Sequence, residues 1–243
     1  MIKKSLFTLM ELLIVVAIIG ILASLLLPSL SKARDKALTA ICLNNNRQIY
    51  LAMSNYLESN DSSFPVASYN SISIPGFQNR AMSWDDLLSD YDGRELSWDT
   101  KKIRGLDSNY SSGIYLCPAA KNVDPDAAAR TYSMNAGWQG TTANIYLYGW
   151  GIAKYDSSKK ITEVEDSMTF VIVENDKLLN VMGNGGNGHT FGDGFRTNVD
   201  VNHYLHNRSK PRSNSVMVNG SARTFSIITE GISPENFWTT NYD

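Results

Sequence analysis

Glu11 is the single charged residue in an apolar run that occupies residues 7–27. A carboxylate at the centre of a membrane-inserted helix costs roughly 2.5–3.5 kcal/mol, and less near the end of the helix. A segment that only anchors a protein in lipid does not need such a residue. Glu11 therefore predicts a cationic partner. The alternative is an acid that reaches the membrane interface along its own side chain, because it lies close to the helix end.

Cys42 and Cys117 are the only cysteines of the 243-residue chain. Two cysteines are too few for a disulfide scaffold. In an oxidising compartment they would form one bridge that closes a loop of about 75 residues and adds a few kcal/mol of stability. Two separate buried thiols remain the alternative.

Acidic, amide and imidazole side chains occur together in the last quarter of the chain. Carboxylate and amide oxygens in a flexible loop suit Ca²⁺, and the candidate calcium ligands are Asp193, Asn198 and Asp200. A metal site would draw on His203 and His206 with the nearby Asp200, together with His189 and Asp193. Their spacing identifies neither site, and solvated loop residues explain the pattern more simply. We therefore expect no cofactor, with calcium as the one open option.

Motifs for catalysis and for nucleic-acid binding are missing from the sequence. It contains no G-x-S-x-G, H-E-x-x-H or paired C-x-x-C pattern. A formal net charge of −2 and a pI near 5.9 give no broad basic surface for nucleic acid. The sequence predicts neither an enzyme nor a nucleic-acid-binding protein.

One long helix must position Glu11. The apolar run is long enough to span a hydrocarbon core of about 30 Å. Helical spacing continues to about residue 57, which predicts a helix roughly 75 Å long, kinked at Pro28 because proline removes a backbone hydrogen bond. The second half should bury one stripe of residues, namely Leu30, Arg34, Leu38, Ile41, Asn45, Ile49, Ala52 and Tyr56. On period alone, a plain anchor followed by a helical stalk fits equally well.

Turn and strand signals in residues 59–243 predict a small α+β head. Short helices are expected at 84–91 and 97–103, with Ser83 and Ser97 as N-caps. Strands are expected at 114–116, 131–134, 144–148, 168–173 and 215–218. Asn219-Gly220 predicts a hairpin turn with both central residues at positive φ, and 60–76 and 183–194 are expected to be loops. We expect an antiparallel sheet packed on the second half of the long helix.

The N-terminal segment KKSLFTLMELLIVVAIIGILASLLLPSL resembles the processing and methylation segment of type IV prepilins and type II secretion pseudopilins. The shared features are a short basic leader, Phe7 as the first mature residue, Glu11 as the fifth, and an apolar run that reaches Pro28. The chain departs from the family at Leu6, because the family usually has Gly before the cleaved bond. The efficiency of cleavage is therefore expected to depend on Leu6.

This resemblance implies a processing route and a role for the acid. A prepilin peptidase would cut between Leu6 and Phe7 on the cytoplasmic face, and the new amine of Phe7 would be methylated. Glu11 would then pair with the N-terminal amine of a neighbouring subunit. A buried carboxylate is tolerable when a cation matches it, whereas removing one partner is strongly destabilising.

Shorter fragments resemble the branch of large prepilin-like proteins with a C-terminal H-x9-DG element. The fragments are ICLNNNRQI at 41–49, LCP at 116–118, RTYSMN at 130–135 and TFVIVE at 169–174. The terminal element is met only in part, because His206 is followed at a longer spacing by Asn219-Gly220 in place of Asp-Gly. The branch resemblance favours a cytoplasmic N-terminus, which the basic residues on both sides of the apolar run leave unsettled.

Together these observations divide the chain into a leader (1–6), a transmembrane and polymerisation helix (7–27), an amphipathic helix (28–58) and a head outside the cytoplasm (59–243). The expected function is a structural subunit of a type IV pilus-like or type II secretion pseudopilus filament. The expected location is the inner membrane, crossed once, with the head in the periplasm or at the cell surface. Expected partners are the prepilin peptidase, other pilin or pseudopilin subunits, and the secretion or pilus assembly machinery. The alternative is a membrane-tethered binding protein that captures an extracellular ligand such as a polysaccharide.

Overall fold

The first element of the structure is α1, a helix of 51 residues that extends over Leu9–Ser59. The computed structural model describes residues 8–67, 82–103, 105–120, 123–135, 152–154, 157–164, 167, 169–174, 182, 189–190 and 212–226. At 1.5 Å per residue α1 is about 76 Å long. The single long helix expected from the sequence is therefore confirmed.

A left-handed turn ends α1. Asn60 is the C-cap, and its side-chain amide donates to the Tyr56 carbonyl at 2.8 Å. Asp61 and Ser62 both have positive φ, at 52° and 57°. The Ser62 N–H then donates to the Leu57 carbonyl at 2.9 Å. This turn satisfies carbonyls that lack an intrahelical partner and directs the chain away from the helix axis.

The described residues contain seven strands, which form two sheets. The strands are β1 (Tyr132–Asn135), β2 (Ala153–Lys154), β3 (Ser157–Ser158), β4 (Phe170–Glu174), β5 (His189–Thr190), β6 (Arg212–Met217) and β7 (Ala222–Ser226). The main sheet has the order β5-β1-β4-β6-β7, and β2 and β3 form a two-stranded sheet. The pairs β1–β4, β4–β6 and β6–β7 are antiparallel, whereas the two-residue β5 lies parallel to β1 at the edge. The predicted antiparallel sheet is confirmed for four strands.

Between α1 and β1, the part of the chain that the structure describes has two short α-helices. They are α2 (Trp84–Leu87), with Ser83 as its N-cap, and α3 (Trp98–Lys101), whose N-cap hydroxyl on Ser97 accepts from the Thr100 N–H at 3.2 Å. α2 begins where the sequence predicts and ends four residues earlier, whereas α3 begins one residue later than predicted and ends two residues earlier. The strand predicted at 114–116 is wrong, because Gly113–Tyr115 is a 3₁₀ turn. An apolar run of three residues does not distinguish a strand from a single helical turn.

The hairpin between β6 and β7 lies where it was predicted but uses a different turn. Of its two central residues only Gly220 has positive φ, at 79°. The Gly220 N–H donates to the Met217 carbonyl at 2.9 Å, and the Met217 N–H donates to the Ser221 carbonyl at 3.0 Å. A two-residue hairpin loop needs two residues with positive φ within the turn. The longer loop found here needs only one, directly after the turn. A Cβ on Gly220 would lie 2.8 Å from the Tyr50 ring, so the hairpin tip touches α1.

The core lies between the sheet and the second half of α1. Ile49, Met53 and Leu57 are buried in one apolar cluster with residues of β1, β4 and β6. The predicted buried stripe is confirmed at Asn45, Ile49 and Ala52. It is wrong at three earlier positions: Arg34 is exposed, as are Leu30 (65%) and Ile41 (47%). The first fully buried residue of α1 is Cys42, and toward the N-terminus burial ends with the half-buried Thr39 and Leu38.

The fold is α+β, with one long apolar N-terminal helix packed on a small, mainly antiparallel sheet, as the sequence predicts. The proposed boundaries at 27/28 and 58/59 both fall within α1, which continues through them. The strand predicted at 144–148 lies outside the described residues. Of the loop predicted at 183–194, the described part is the short strand β5.

Candidate functional site

The first half of α1 presents an unpartnered apolar surface. Every residue of Leu9–Leu30 is exposed. The large apolar side chains among them include Leu13, Val16, Ile19, Leu22 and Leu26. Length and composition make α1 the one helix of the described chain that is able to cross a membrane. Such a continuous apolar surface is far larger than the patches that soluble monomers expose, and it marks a contact with lipid or protein.

Glu11 lies in the first turn of α1 and is bound to the N-cap residue. Its Oε2 accepts from the Thr8 N–H at 2.8 Å and from the Thr8 hydroxyl at 2.9 Å. The Thr8 hydroxyl in turn accepts from the Glu11 N–H at 3.2 Å. This reciprocal arrangement is a capping box, which satisfies two N–H groups at the start of the helix. The sequence signal for this box is Thr-x-x-Glu at residues 8–11, and it is legible without the structure.

The capping box leaves part of the carboxylate available. Within the described chain, both hydrogen bonds to the Glu11 side chain end on Oε2. A carboxylate offers about four acceptor sites. Glu11 can therefore keep its cap and still accept from a cation that approaches Oε1. Leu6 and Phe7, the predicted cleavage and methylation residues, lie outside the described residues.

Pro28 lies inside α1, which continues on both sides of it. Because Pro28 has no N–H, the Ser24 carbonyl loses its usual intrahelical donor. The Ser24 hydroxyl binds the Ile21 carbonyl at 2.7 Å, and the Ser29 hydroxyl binds the Leu26 carbonyl at 2.8 Å. Hydroxyls bound back to the helix in this way are frequent where helices bend. The kink at Pro28 stays a prediction.

A disulfide fixes α1 to the head at the first buried position of the helix. Cys42 and Cys117 are bonded, with their Cα atoms 5.2 Å apart, and both are fully buried. The neighbouring Asn45 side chain donates to the Leu116 carbonyl at 3.1 Å. The Cys117 N–H donates to the Thr131 hydroxyl at 2.6 Å. Of the two alternatives left open by the sequence, the structure has the bridge.

Glu174 at the end of β4 approaches the disulfide sulfurs. One of its carboxylate oxygens lies within 4.8 Å of both sulfur atoms. The carboxylate accepts from the Asn214 N–H at 2.7 Å and from the Asn214 side-chain amide at 2.9 Å. The two sulfurs are bonded to each other, and the carboxylate is hydrogen-bonded to Asn214. This group therefore joins α1, β4 and β6 and does not offer a metal site in its bonded form.

A buried ion pair joins α2 to the strand region and was not foreseen from the sequence. Arg130 and Asp85 form a direct ion pair with both side chains fully buried. The Arg130 guanidinium also lies over the Trp84 ring, with its carbon 5.4 Å from the ring centroid, and donates to the Ser83 hydroxyl at 3.1 Å. Burial lowers the pKa of Arg130, and the charge on Asp85 opposes that effect.

Asp86 lies next to this pair and is also buried. One carboxylate oxygen accepts from the Ser83 N–H at 2.9 Å. Burial and the negative charge of Asp85 raise its pKa well above the ordinary value, while Ser83, Arg94 and Arg130 act in the opposite direction. Asp86 is therefore a buried acid that favours its protonated form.

A second ionic group supports the first. Arg94 pairs with Asp92 at 2.7 Å and lies 4.4 Å from the centroid of the Tyr115 ring. The Tyr115 hydroxyl donates to Asp92 at 2.6 Å, and burial raises the pKa of that hydroxyl well above its usual value. Arg94 also donates to the Asp85 carbonyl. The two groups hold the segment 83–94 against residues 115 and 130, which is a structural task.

The remaining predicted site residues lie outside the described part of the chain. These are the calcium candidates Asp193, Asn198 and Asp200, together with His203 and His206. His189 lies in β5, where the structure describes its backbone and not its side chain.

Comparisons with protein-family models, with curated proteins and with solved structures yield no match to this chain.

Proposed function

We propose that the chain is a structural subunit of a type IV pilus-like or type II secretion pseudopilus filament. A prepilin peptidase removes residues 1–6, the amine of Phe7 is methylated, and the subunit waits in the inner membrane with its head outside the cytoplasm. The secretion or pilus assembly machinery then moves it into a filament. There the apolar half of α1 packs against the same half of other subunits.

This proposal rests on a contrast within one continuous helix. The first part of α1, residues 9–30 (the stem), contacts nothing in the described head, whereas the second half of α1 is packed into the head. The residues of 9–30 are all exposed, whereas the helix from Cys42 onwards is bonded and packed into the head. Burying each large apolar side chain of the stem contributes about 1.5–3 kcal/mol. Lipid and neighbouring stems are the two environments that accept such a surface, and a subunit that moves between them uses both.

Glu11 supports assembly over simple anchoring. A lone carboxylate in a bundle of apolar helices is strongly unfavourable, and a cation in the same bundle removes most of that cost. The amine of a neighbouring Phe7 would be such a cation. Oε1 of Glu11 is open to it while Oε2 keeps the helix cap. The pair would also fix the axial register between subunits.

The experiment separates the charge of Glu11 from its capping role. Glu11→Gln keeps an acceptor for the Thr8 N–H but removes the charge, whereas Thr8→Val removes the hydroxyl cap and keeps the charge. Both variants are expressed in cells that contain the peptidase and the assembly machinery. Subunits are then counted in membranes and in sheared filaments. Glu58→Gln, an exposed acid near the other end of α1, is the matched control.

We expect Glu11→Gln to reach the membrane at wild-type levels and to be absent from filaments. Thr8→Val and Glu58→Gln should enter filaments. Normal incorporation of Glu11→Gln would overturn the role given to the charge.

A second candidate function is supported by Trp98, which is 57% exposed on the head. An exposed indole is a typical stacking surface for a sugar ring, and a tethered binding protein would use it to capture polysaccharide. Trp98→Ala, compared with wild type in a polysaccharide pull-down from intact cells, tests this candidate. Loss of capture with filaments unaffected would favour it.

A further inference from the structure

Three basic side chains on α1 have no role in the assembly proposed above. Lys32, Arg34 and Lys36 follow the apolar stem, and all three are exposed. Within the described chain none of them is in an ion pair, and Asp35 is the one acid among them. The described head does not reach this part of the helix, since the first fully buried residue is Cys42. No described residue pairs with these cations, so they are available to a partner outside the subunit.

Lys32 lies at the outer edge of the head-group layer of a bilayer, and Arg34 and Lys36 lie a few ångströms beyond it. Residues 9–27 of α1 span about 28 Å, which matches a hydrocarbon core of about 30 Å. Lys32 then lies about 8 Å beyond Leu27, and Lys36 about 14 Å beyond it. The polar layer of each leaflet is about 5–8 Å thick. Cys42, the first fully buried residue of α1, is about 22 Å beyond Leu27, so the described part of the head leaves the lipid surface accessible.

The direction of the side chains brings the charges closer to the lipid. In an α-helix each Cα–Cβ bond tilts toward the N-terminus, which is the membrane side of this segment. Long basic side chains at helix ends extend their charged groups to the interface in this way. The ammonium groups of Lys32 and Lys36 are therefore able to reach lipid phosphates.

The angular distribution of the charges favours lipid over a protein partner. Lys32 and Lys36 are four residues apart and share one face of α1, while Arg34 lies about 200° around the helix from Lys32. A single neighbouring subunit contacts one face of a helix. A ring of lipid head groups contacts all faces, and so fits cations on opposite sides.

We propose that Lys32, Arg34 and Lys36 bind the phosphates of anionic phospholipids in the leaflet on the side of the head. This inference rests on the membrane insertion that is part of the proposed function. The contact sets the depth of the stem in the membrane and enriches anionic lipid around the waiting subunit. It is lost when the subunit leaves the bilayer.

The test measures lipid selectivity of the full-length chain in phosphatidylcholine bilayers. Spin-labelled phosphatidylglycerol or spin-labelled phosphatidylcholine is added as a trace, and the fraction of motionally restricted label is read by electron spin resonance. Wild type is compared with the triple variant Lys32→Gln/Arg34→Gln/Lys36→Gln. The matched control is Arg47→Gln, an exposed cation of α1 about 30 Å beyond Leu27.

We expect wild type and Arg47→Gln to prefer phosphatidylglycerol by about two- to fivefold. The triple variant should show no preference, Asp35→Asn should raise it, and high salt should reduce it because exposed charges are screened. Equal selectivity of wild type and the triple variant would overturn the proposal and leave the cations to a protein partner. Failure of the wild-type chain to restrict either label would instead contradict membrane insertion, and with it the proposed function.

Discussion

The two halves of α1 share one helical geometry and differ in where their partners come from. From Cys42 to Leu57 the helix is held by the disulfide, by the packing of Ile49 and Met53, and by the bond from the Tyr50 hydroxyl to the Val218 carbonyl. From Leu9 to Leu30 no residue is buried. The second half is therefore stabilised within the subunit, and the first half has to find its stabilising contacts outside it.

Helical period alone therefore does not locate the partner of a helix face. The spacing of apolar residues is continuous from Leu30 to Tyr56, yet burial begins at Cys42. The stem should therefore tolerate changes that leave head stability intact, and the head should show the full cost of losing its own contacts. The predictions below test that separation, beginning with the largest effect.

Removal of the disulfide should have the largest effect on the head. The bridge closes a loop between positions 75 residues apart, and the chain-entropy estimate for such a loop is about 4.5 kcal/mol. Cys42→Ala/Cys117→Ala should lower the free energy of unfolding by about that amount in urea titrations of the detergent-solubilised full chain. Wild type in strong reductant should approach the same value. Equal stability with and without the bridge would mean that other contacts alone hold the helix to the head.

Breaking the buried ion pair should cost nearly as much. Asp85→Ala leaves the Arg130 guanidinium buried without its carboxylate, which typically costs about 3–5 kcal/mol. Urea titration of the detergent-solubilised full chain measures this loss in the free energy of unfolding. Lys102→Ala, which removes an exposed ion pair with Asp99, is the control and should leave the unfolding midpoint nearly unchanged. A similar effect of both variants would contradict the structural task given to the buried group.

One chemical change placed in each half of α1 compares them directly. Ile49→Ala removes a fully buried side chain from the head core and should cost about 2–5 kcal/mol in head unfolding. Ile19→Ala makes the same truncation on the exposed stem and should leave head unfolding unchanged. Its effect should appear in filament yield. Destabilisation of the head by Ile19→Ala would show that the halves are coupled.

The smallest effect concerns pH. The folded chain raises the pKa of Asp86 above its unfolded value, so the folded state holds a proton that the unfolded state releases. That stabilising contribution is fully present below the unfolded pKa of about 4 and is lost as pH rises through the folded pKa. Asp86→Asn, which mimics the neutral acid, should flatten this dependence in urea titrations across pH. Glu58→Gln should keep it.

Much of the fold could be predicted from the sequence, because the signals for its helices, strands and turns are local. An apolar run with helical spacing predicted α1, and strand signals in short segments predicted β1, β4 and β6. The Asn219-Gly220 pair located the hairpin. The 3₁₀ turn at Gly113–Tyr115 was missed because three residues carry too little periodicity.

Contacts between segments that are distant in the sequence could not be predicted, because local sequence patterns carry no information about them. Asp85 and Arg130 are 45 positions apart, and nothing near either residue indicates that they meet in the core. The bridge between Cys42 and Cys117 was one of two open alternatives until the fold brought the sulfurs together. The Thr8–Glu11 cap is different, because its motif was legible in the sequence. Glu11 itself was singled out by its charge, which needs no tertiary information.

Photocrosslinking from the stem tests the central claim most directly. A photoreactive phenylalanine analogue replaces Ile19, on the exposed apolar surface, in wild type and in Glu11→Gln. Illumination of cells that assemble filaments should give covalent adducts between subunits through position 19 in wild type, and lipid adducts alone in Glu11→Gln. Lipid adducts alone in both chains would contradict assembly through the stem and reduce α1 to a membrane anchor.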